Sequence, residues 1–128
     1  MNNTTDLTEA EMNSLVQKHL TIWNEKDATK RLELMKNVYA PNIEIVDSHL
    51  VAIGYEKINA FINMLQEKNP QGGFTPIKPV DINHNIARIF WENGTPENPA
   101  IVTGMDLLVF EQGKAAHLYV FVDIENKL

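Results

Sequence analysis

The chain is 128 residues long, 44% hydrophobic and 22% charged, an ordinary balance for a globular protein with one core. Eleven basic against seventeen acidic residues give a formal net charge of −6, which argues against a phosphate-binding surface and so against nucleic acid as a partner. There are no cysteines, which excludes disulfides, thiol nucleophiles and thiolate metal sites. Residues 1–6 read as a disordered polar N-terminus and 7–128 as a single domain. The start has no signal-peptide pattern and no segment reaches the length of a membrane span, so the default expectation is a cytoplasmic protein with no membrane partner.

From Leu7 to Glu25 the pattern is helical. Met12, Leu15, Val16, His19, Leu20 and Trp23 make a single stripe, and Thr8 with Glu11 reads as a capping box. A second helix is expected over Ala28–Val38, capped by Asp27, with Leu32, Met35 and Tyr39 inward. Pro41 closes it. The stretch "YAPNIEIVDSHLVAIG", 39–54, then reads as a strand, and Gly54 opens a third helix over Tyr55–Lys68 with Ile58, Phe61, Ile62 and Leu65 on one face. "NPQGG" ends that helix. The remainder of the chain reads as four strands, Phe74–Asn83, Asn85–Glu92, Ala100–Phe110 and Lys114–Ile124, with "EQG" at 111–113 as a tight hairpin turn. Helices segregated at the front and an antiparallel sheet behind make an α+β domain.

Three separate elements carry ionisable residues in apolar phase. Alternation in the first strand places Asp47 and His49 on the face of Ile43 and Ile45. In the strand after residue 100, Asp106 shares a face with Val102, Leu108 and Phe110, and His19 occupies the centre of the first helix's stripe. Buried carboxylates carry a partner, a proton or a chemical job. Each also has a plain structural reading, a histidine bonded to a backbone carbonyl or an aspartate bonded to nearby amides. Asp47-x-His49 could offer two metal ligands, but no third or fourth stands at a recognisable spacing, so no metal is expected. Trp23 and Trp91 read as core or pocket wall. No nucleophile elbow and no phosphate loop is present.

"WNEKD" at 23–27, "YAPNIEIVD" at 39–47, Gly54 before a helix and "TGMDLLVFEQGKAAHLYVFVD" at 103–123 resemble the SnoaL-like polyketide cyclases and ketosteroid isomerase-like proteins of the nuclear transport factor 2-like superfamily. The resemblance covers almost the whole chain. It implies a cone of three helices against a strongly curved, mostly antiparallel sheet enclosing an apolar pocket, with no cofactor. Tyr39 and Asp47 match the spacing of the isomerases' "YA…D" general base. Asp106, Phe110 and Gly113-Lys114 match their second aspartate, which is kept protonated to donate to an enolate oxygen. Their oxyanion tyrosine would fall at about position 19, where this chain has His19.

The resemblance thus implies a cofactor-independent enzyme that moves a proton on a small apolar carbonyl compound, of isomerase or cyclase type. Asp47, Asp106 and His19 would be catalytic, and Trp23, Tyr39, His49, Phe61 and Trp91 would bind substrate. A pairing of His19 with Asp47 is the competing arrangement, and a non-catalytic ligand-binding or interaction module of the same fold is the alternative function. A third option, an epoxide hydrolase, needs an Asp-Arg-Asp arrangement for which Arg31 and Arg88 offer no convincing place. The last strands carry large apolar residues on both faces, Leu118, Val120 and Val122 alternating with His117, Tyr119 and Phe121, so a homodimer through the outer face of the sheet is expected.

Overall fold

A computed structural model describes residues 7–123. Its elements are α1 (Glu9–Asn24), α2 (Ala28–Val38), β1 (Tyr39–Asp47), β2 (Leu50–Ile53), α3 (Tyr55–Lys68), β3 (Gly73–Pro76), β4 (Asp81–Asn83), β5 (Ile86–Gly94), β6 (Val102–Glu111) and β7 (Lys114–Val122). The expectations for residues 1–6 and for the end of the last strand at Ile124 lie outside the described residues. No helix among those described is long and apolar enough to cross a membrane.

Local chemistry sets the helix boundaries. Thr8 accepts from the Glu11 amide while the Glu11 carboxylate accepts from the Thr8 amide, closing both ends of a capping box. The Asp27 side chain accepts from the amides of Thr29 and Lys30. Gly54, at φ 98°, turns the chain into α3 in a conformation that side-chain-bearing residues rarely adopt. The hairpin joining β6 to β7 turns on Gln112 and Gly113, both at positive φ, as a tight two-residue loop requires.

All strands lie in one sheet, in the order β2-β1-β7-β6-β5-β3 with β4 also pairing β5. Every pairing is antiparallel except β1 with β7. The sheet is curved but not closed. The three helices cover its concave face, α1 packing on β3 and β5, α2 on β1 and β7, and α3 on β1 and β2. The core runs across the strands as a row of directly paired, buried residues, Ala52–Ile45–Leu118–Leu108–Ala87. The next row along contains Val120, Asp106 and Ile89, so an aspartate stands in the apolar layer as its phase predicts.

Two strand expectations are corrected. The stretch 39–54 is a hairpin rather than one strand, breaking at Ser48-His49, where Asp47 pairs directly with Leu50. The Asp47 carboxylate itself stabilises the break by accepting the His49 amide, an Asx-type turn that needs neither glycine nor proline. The stretch 74–83 is two short strands, interrupted at 77–80, where Pro79 cannot donate to a ladder. On α2 the buried residues are Arg31, Met35 and Val38, and Leu32 is only half-buried.

Candidate functional site

Between the helices and the open end of the sheet lies a cavity of about 670 Å3. Its walls include Trp23 of α1, Phe61 of α3, Phe74 of β3 and Trp91 of β5. These rings meet in sequence at near-perpendicular angles, Phe61–Trp23 at 6.1 Å, Trp23–Phe74 at 5.9 Å and Phe74–Trp91 at 5.0 Å between centroids. Asp47, Asp106 and Asp123 also line the cavity. Gly104 lies directly across from Trp91, and a side chain there would collide with the indole and with the Phe121 carbonyl. Lacking one, β6 lets the Trp91 ring lie over it and reach Asp106.

Behind the wall runs a continuous buried hydrogen-bond chain. Trp23 Nε1–H donates to the Tyr39 hydroxyl at 3.0 Å, and that hydroxyl lies 2.5 Å from His19 Nδ1. His19 Nε2 lies 2.7 Å from Asp106 Oδ2, and Trp91 Nε1–H donates to Asp106 Oδ1 at 2.8 Å. The proton positions follow from counting donors. Tyr39 is fully buried, and burial raises its pKa well above the ordinary phenol value, so its hydroxyl keeps its proton. That proton has one acceptor within reach, His19 Nδ1. Nδ1 is therefore unprotonated, and Nε2–H donates to Asp106. In the opposite tautomer, or with a doubly protonated ring, the Tyr39 O–H would be buried with no acceptor, costing about 1–3 kcal/mol. Both Asp106 oxygens thus accept from N–H groups.

Asp47 is held differently. Its Oδ1 accepts from the His49 amide and from His49 Nδ1–H, each at 2.8 Å, and no hydrogen bond occupies Oδ2. The Asp47 side chain is 5% exposed, whereas that of His49 is 64% exposed. One carboxylate oxygen is pinned and the other has no hydrogen-bond partner, in a side chain that lines the cavity.

No family profile and no curated protein matches the chain. Solved structures do. A SnoaL-like family protein from Agrobacterium tumefaciens strain C58, provisionally named an isomerase, is 25% identical with a TM-score of 0.83, covering 90% of this chain and 99% of its own. A provisionally named SnoaL-like polyketide cyclase from Jannaschia sp. CCS1 is 17% identical with a TM-score of 0.68, covering 92% of this chain and 90% of its own. A nuclear transport factor 2-like protein of unknown function from Cytophaga hutchinsonii is 14% identical with a TM-score of 0.68, covering 92% and 94%. The chain has the SnoaL-like, nuclear transport factor 2-like fold.

Within this SnoaL-like fold, Asp47, Asp106, Trp23, His49, Phe61 and Trp91 all line the cavity, brought together from six elements or turns. His19 and Tyr39 do not. Both are completely buried behind the wall, with Tyr39 reaching the cavity's periphery only through Trp23 and His19. His19 pairs with Asp106, not with Asp47, because α1 packs on β3 and β5, beside β6, rather than on the β1–β2 turn. Asp106 spends both oxygens on bonds within the protein, Oδ2 to His19 and Oδ1 to Trp91. Among the described residues no group of three or more His, Asp or Glu side chains could hold a metal ion.

Sequence reasoning missed several cavity residues, Asp123 and Asn93 among them. Asp123, just past β7, accepts from the Thr103 hydroxyl at 2.5 Å. Asn93, near the end of β5, has a buried side-chain oxygen with no partner. Asn93 faces Phe74 across the β3–β5 pairing, so only the pairing of distant strands could have revealed it. Arg31 was also missed. It is fully buried between α2 and α3, bonding the Asn59 carbonyl and the Asn63 side chain, and burial lowers its pKa.

Proposed function

We propose that the cavity binds a small, largely apolar carbonyl compound and that Asp47 moves a proton on it, as an isomerase or cyclase of this fold would. One observation carries the reading: Asp47 is a nearly buried, cavity-lining carboxylate with one oxygen fixed by two donors and the other without a hydrogen bond. A general base needs a fixed position, partial desolvation and an unoccupied lone pair, and Asp47 Oδ2 has all three. Asn93 and Ser48 supply cavity-lining groups able to meet the substrate's oxygen. Asp106 forms part of the cavity wall, and His19 and Tyr39 act as positioning residues by holding it. The isomerase and cyclase names of the Agrobacterium and Jannaschia proteins agree with this class of chemistry. The test is deuterium incorporation from D2O into the α-carbons of an enolisable ketone such as 4-phenylcyclohexanone. The protein should accelerate it and Asp47→Asn should not; equal rates in both would reject the proposal.

A non-catalytic binding module is favoured instead by one specific feature. The N–H donors of His19 and Trp91, which could have steadied an oxyanion, are both taken by Asp106 inside the protein.

The convex face supports pairing of two copies. Val51, Ile53 and Phe121 are 68%, 60% and 62% exposed, and the ladder registers place them on one face with Val46, Tyr119 and Leu107. We propose that a second copy covers this face, which light scattering at micromolar concentration tests: a monomer would reject it.

A further inference from the structure

The cavity is unbalanced in charge. Asp47, Asp106 and Asp123 line it, and among the described residues no Lys or Arg does. Their partners within the protein are N–H and O–H groups: the His49 and Trp91 donors, neutral His19, and the Thr103 hydroxyl. Hydrogen bonds of this kind hold a carboxylate in place without cancelling its field. Asp47 adds a nearly buried charge to this set, since its side chain lines the cavity, is only 5% exposed and has no hydrogen bond to Oδ2. The remaining wall is aromatic, with Trp23 and Trp91 among the rings, and tryptophan π surface is the best aromatic partner for an organic cation. An anionic ligand would meet three carboxylates in a partly enclosed space, where like charges repel more strongly than in water. A neutral ligand would leave the field unused.

We infer that the occupant of this cavity is an organic cation, a largely apolar compound bearing an ammonium nitrogen. The inference deepens the carbonyl reading by adding the cationic nitrogen to the same molecule, and it rests on that cavity being the ligand site. The nitrogen lies against the tryptophan rings and Asp123, within the field of Asp47 but leaving Asp47 Oδ2 to the α-carbon. The apolar body fills the space between Phe61 and Phe74.

The test compares two probes of similar shape by titration calorimetry at fixed ionic strength. One is 1,1-dimethyl-4-phenylpiperidinium, whose charge does not change with pH, and the other is neutral 4-phenylcyclohexanone. The cation should bind about tenfold or more tightly than the ketone. Asp47→Asn and Asp123→Asn should each weaken the cation several-fold and leave the ketone's affinity within about twofold. Ketone affinity equal to or above the cation's, cation affinity unmoved by both variants, or no binding of either probe would overturn the inference. Deuterium exchange into the ketone is scored separately. A cation preference without exchange keeps the ligand class and removes the catalytic reading, whereas exchange with a ketone preference does the reverse.

Discussion

Replacing Asp47 by asparagine changes one atom and separates the chemistry of this residue from its place in the fold. The Asn side-chain oxygen can still accept from the His49 amide and from His49 Nδ1–H, the two bonds that Asp47 Oδ1 makes at 2.8 Å. Bonds to a charged acceptor are worth about 1.5–3 kcal/mol each and neutral ones about 1, so weakening both costs about 1–4 kcal/mol. Against this, a negative charge leaves a side chain that is only 5% exposed and has one oxygen unpaired, which returns a similar amount. The two effects offset, and Asp47→Asn should change stability by less than about 1 kcal/mol. Asp47→Ala removes the acceptor altogether and strands the His49 amide in its turn, costing about 1–3 kcal/mol. Urea unfolding with equal m-values measures both, and proton exchange at a ketone's α-carbon should vanish in both. A loss above about 2 kcal/mol in the asparagine variant, or exchange surviving in it, would make Asp47 a structural acceptor and remove it as the base.

Other outcomes rest on the same geometry. Tyr39→Phe keeps the ring but orphans the Trp23 N–H and His19 Nδ1, so it should destabilise by about 2–4 kcal/mol in urea unfolding, well above the effect of Tyr55→Phe, whose hydroxyl makes one half-buried bond to the Tyr39 carbonyl. Because burial raises the Tyr39 pKa, the unfolded chain ionises first: stability should be level below about pH 10 and fall above it by up to about 1.4 kcal/mol per pH unit, with a shallower slope in the Phe variant. Gly104→Ala should displace Trp91 from Asp106, costing about 1–3 kcal/mol and weakening cation binding as judged by calorimetry. Phe121→Arg on the convex face should shift the protein toward monomer in light scattering without altering its circular dichroism.

Much of this architecture was legible because its boundaries are set by local chemistry. Asp27 caps α2 and Gly54 opens α3, so both helices fall where their caps put them. Period-two alternation was enough to place Asp106 in the apolar layer, since a strand's phase depends on no distant residue. The β1–β2 turn was missed because Asp47 makes it with its own side chain, in a sequence without glycine or proline. Arg31 was missed because a charged residue on a helix is taken for a surface one, whereas its guanidinium here finds acceptors on α3. The site was the harder part. That His19 meets Asp106 rather than Asp47 depends on where α1 crosses the curved sheet, and Asp123 and Asn93 enter the cavity only through strand pairing.

The buried chain from Trp23 to Trp91 satisfies itself around Asp106, whereas Asp47 keeps one oxygen without a hydrogen bond. The ring nitrogens of His19 report on this arrangement without any ligand. Long-range nitrogen–proton NMR of the four histidines, assigned with a His19→Gln variant, distinguishes a protonated from an unprotonated ring nitrogen. At neutral pH, His19 should show a protonated Nε2 and a bare Nδ1. A protonated Nδ1, alone or in a doubly protonated ring, would leave the Tyr39 hydroxyl without an acceptor, and the self-satisfied chain around Asp106 would not exist.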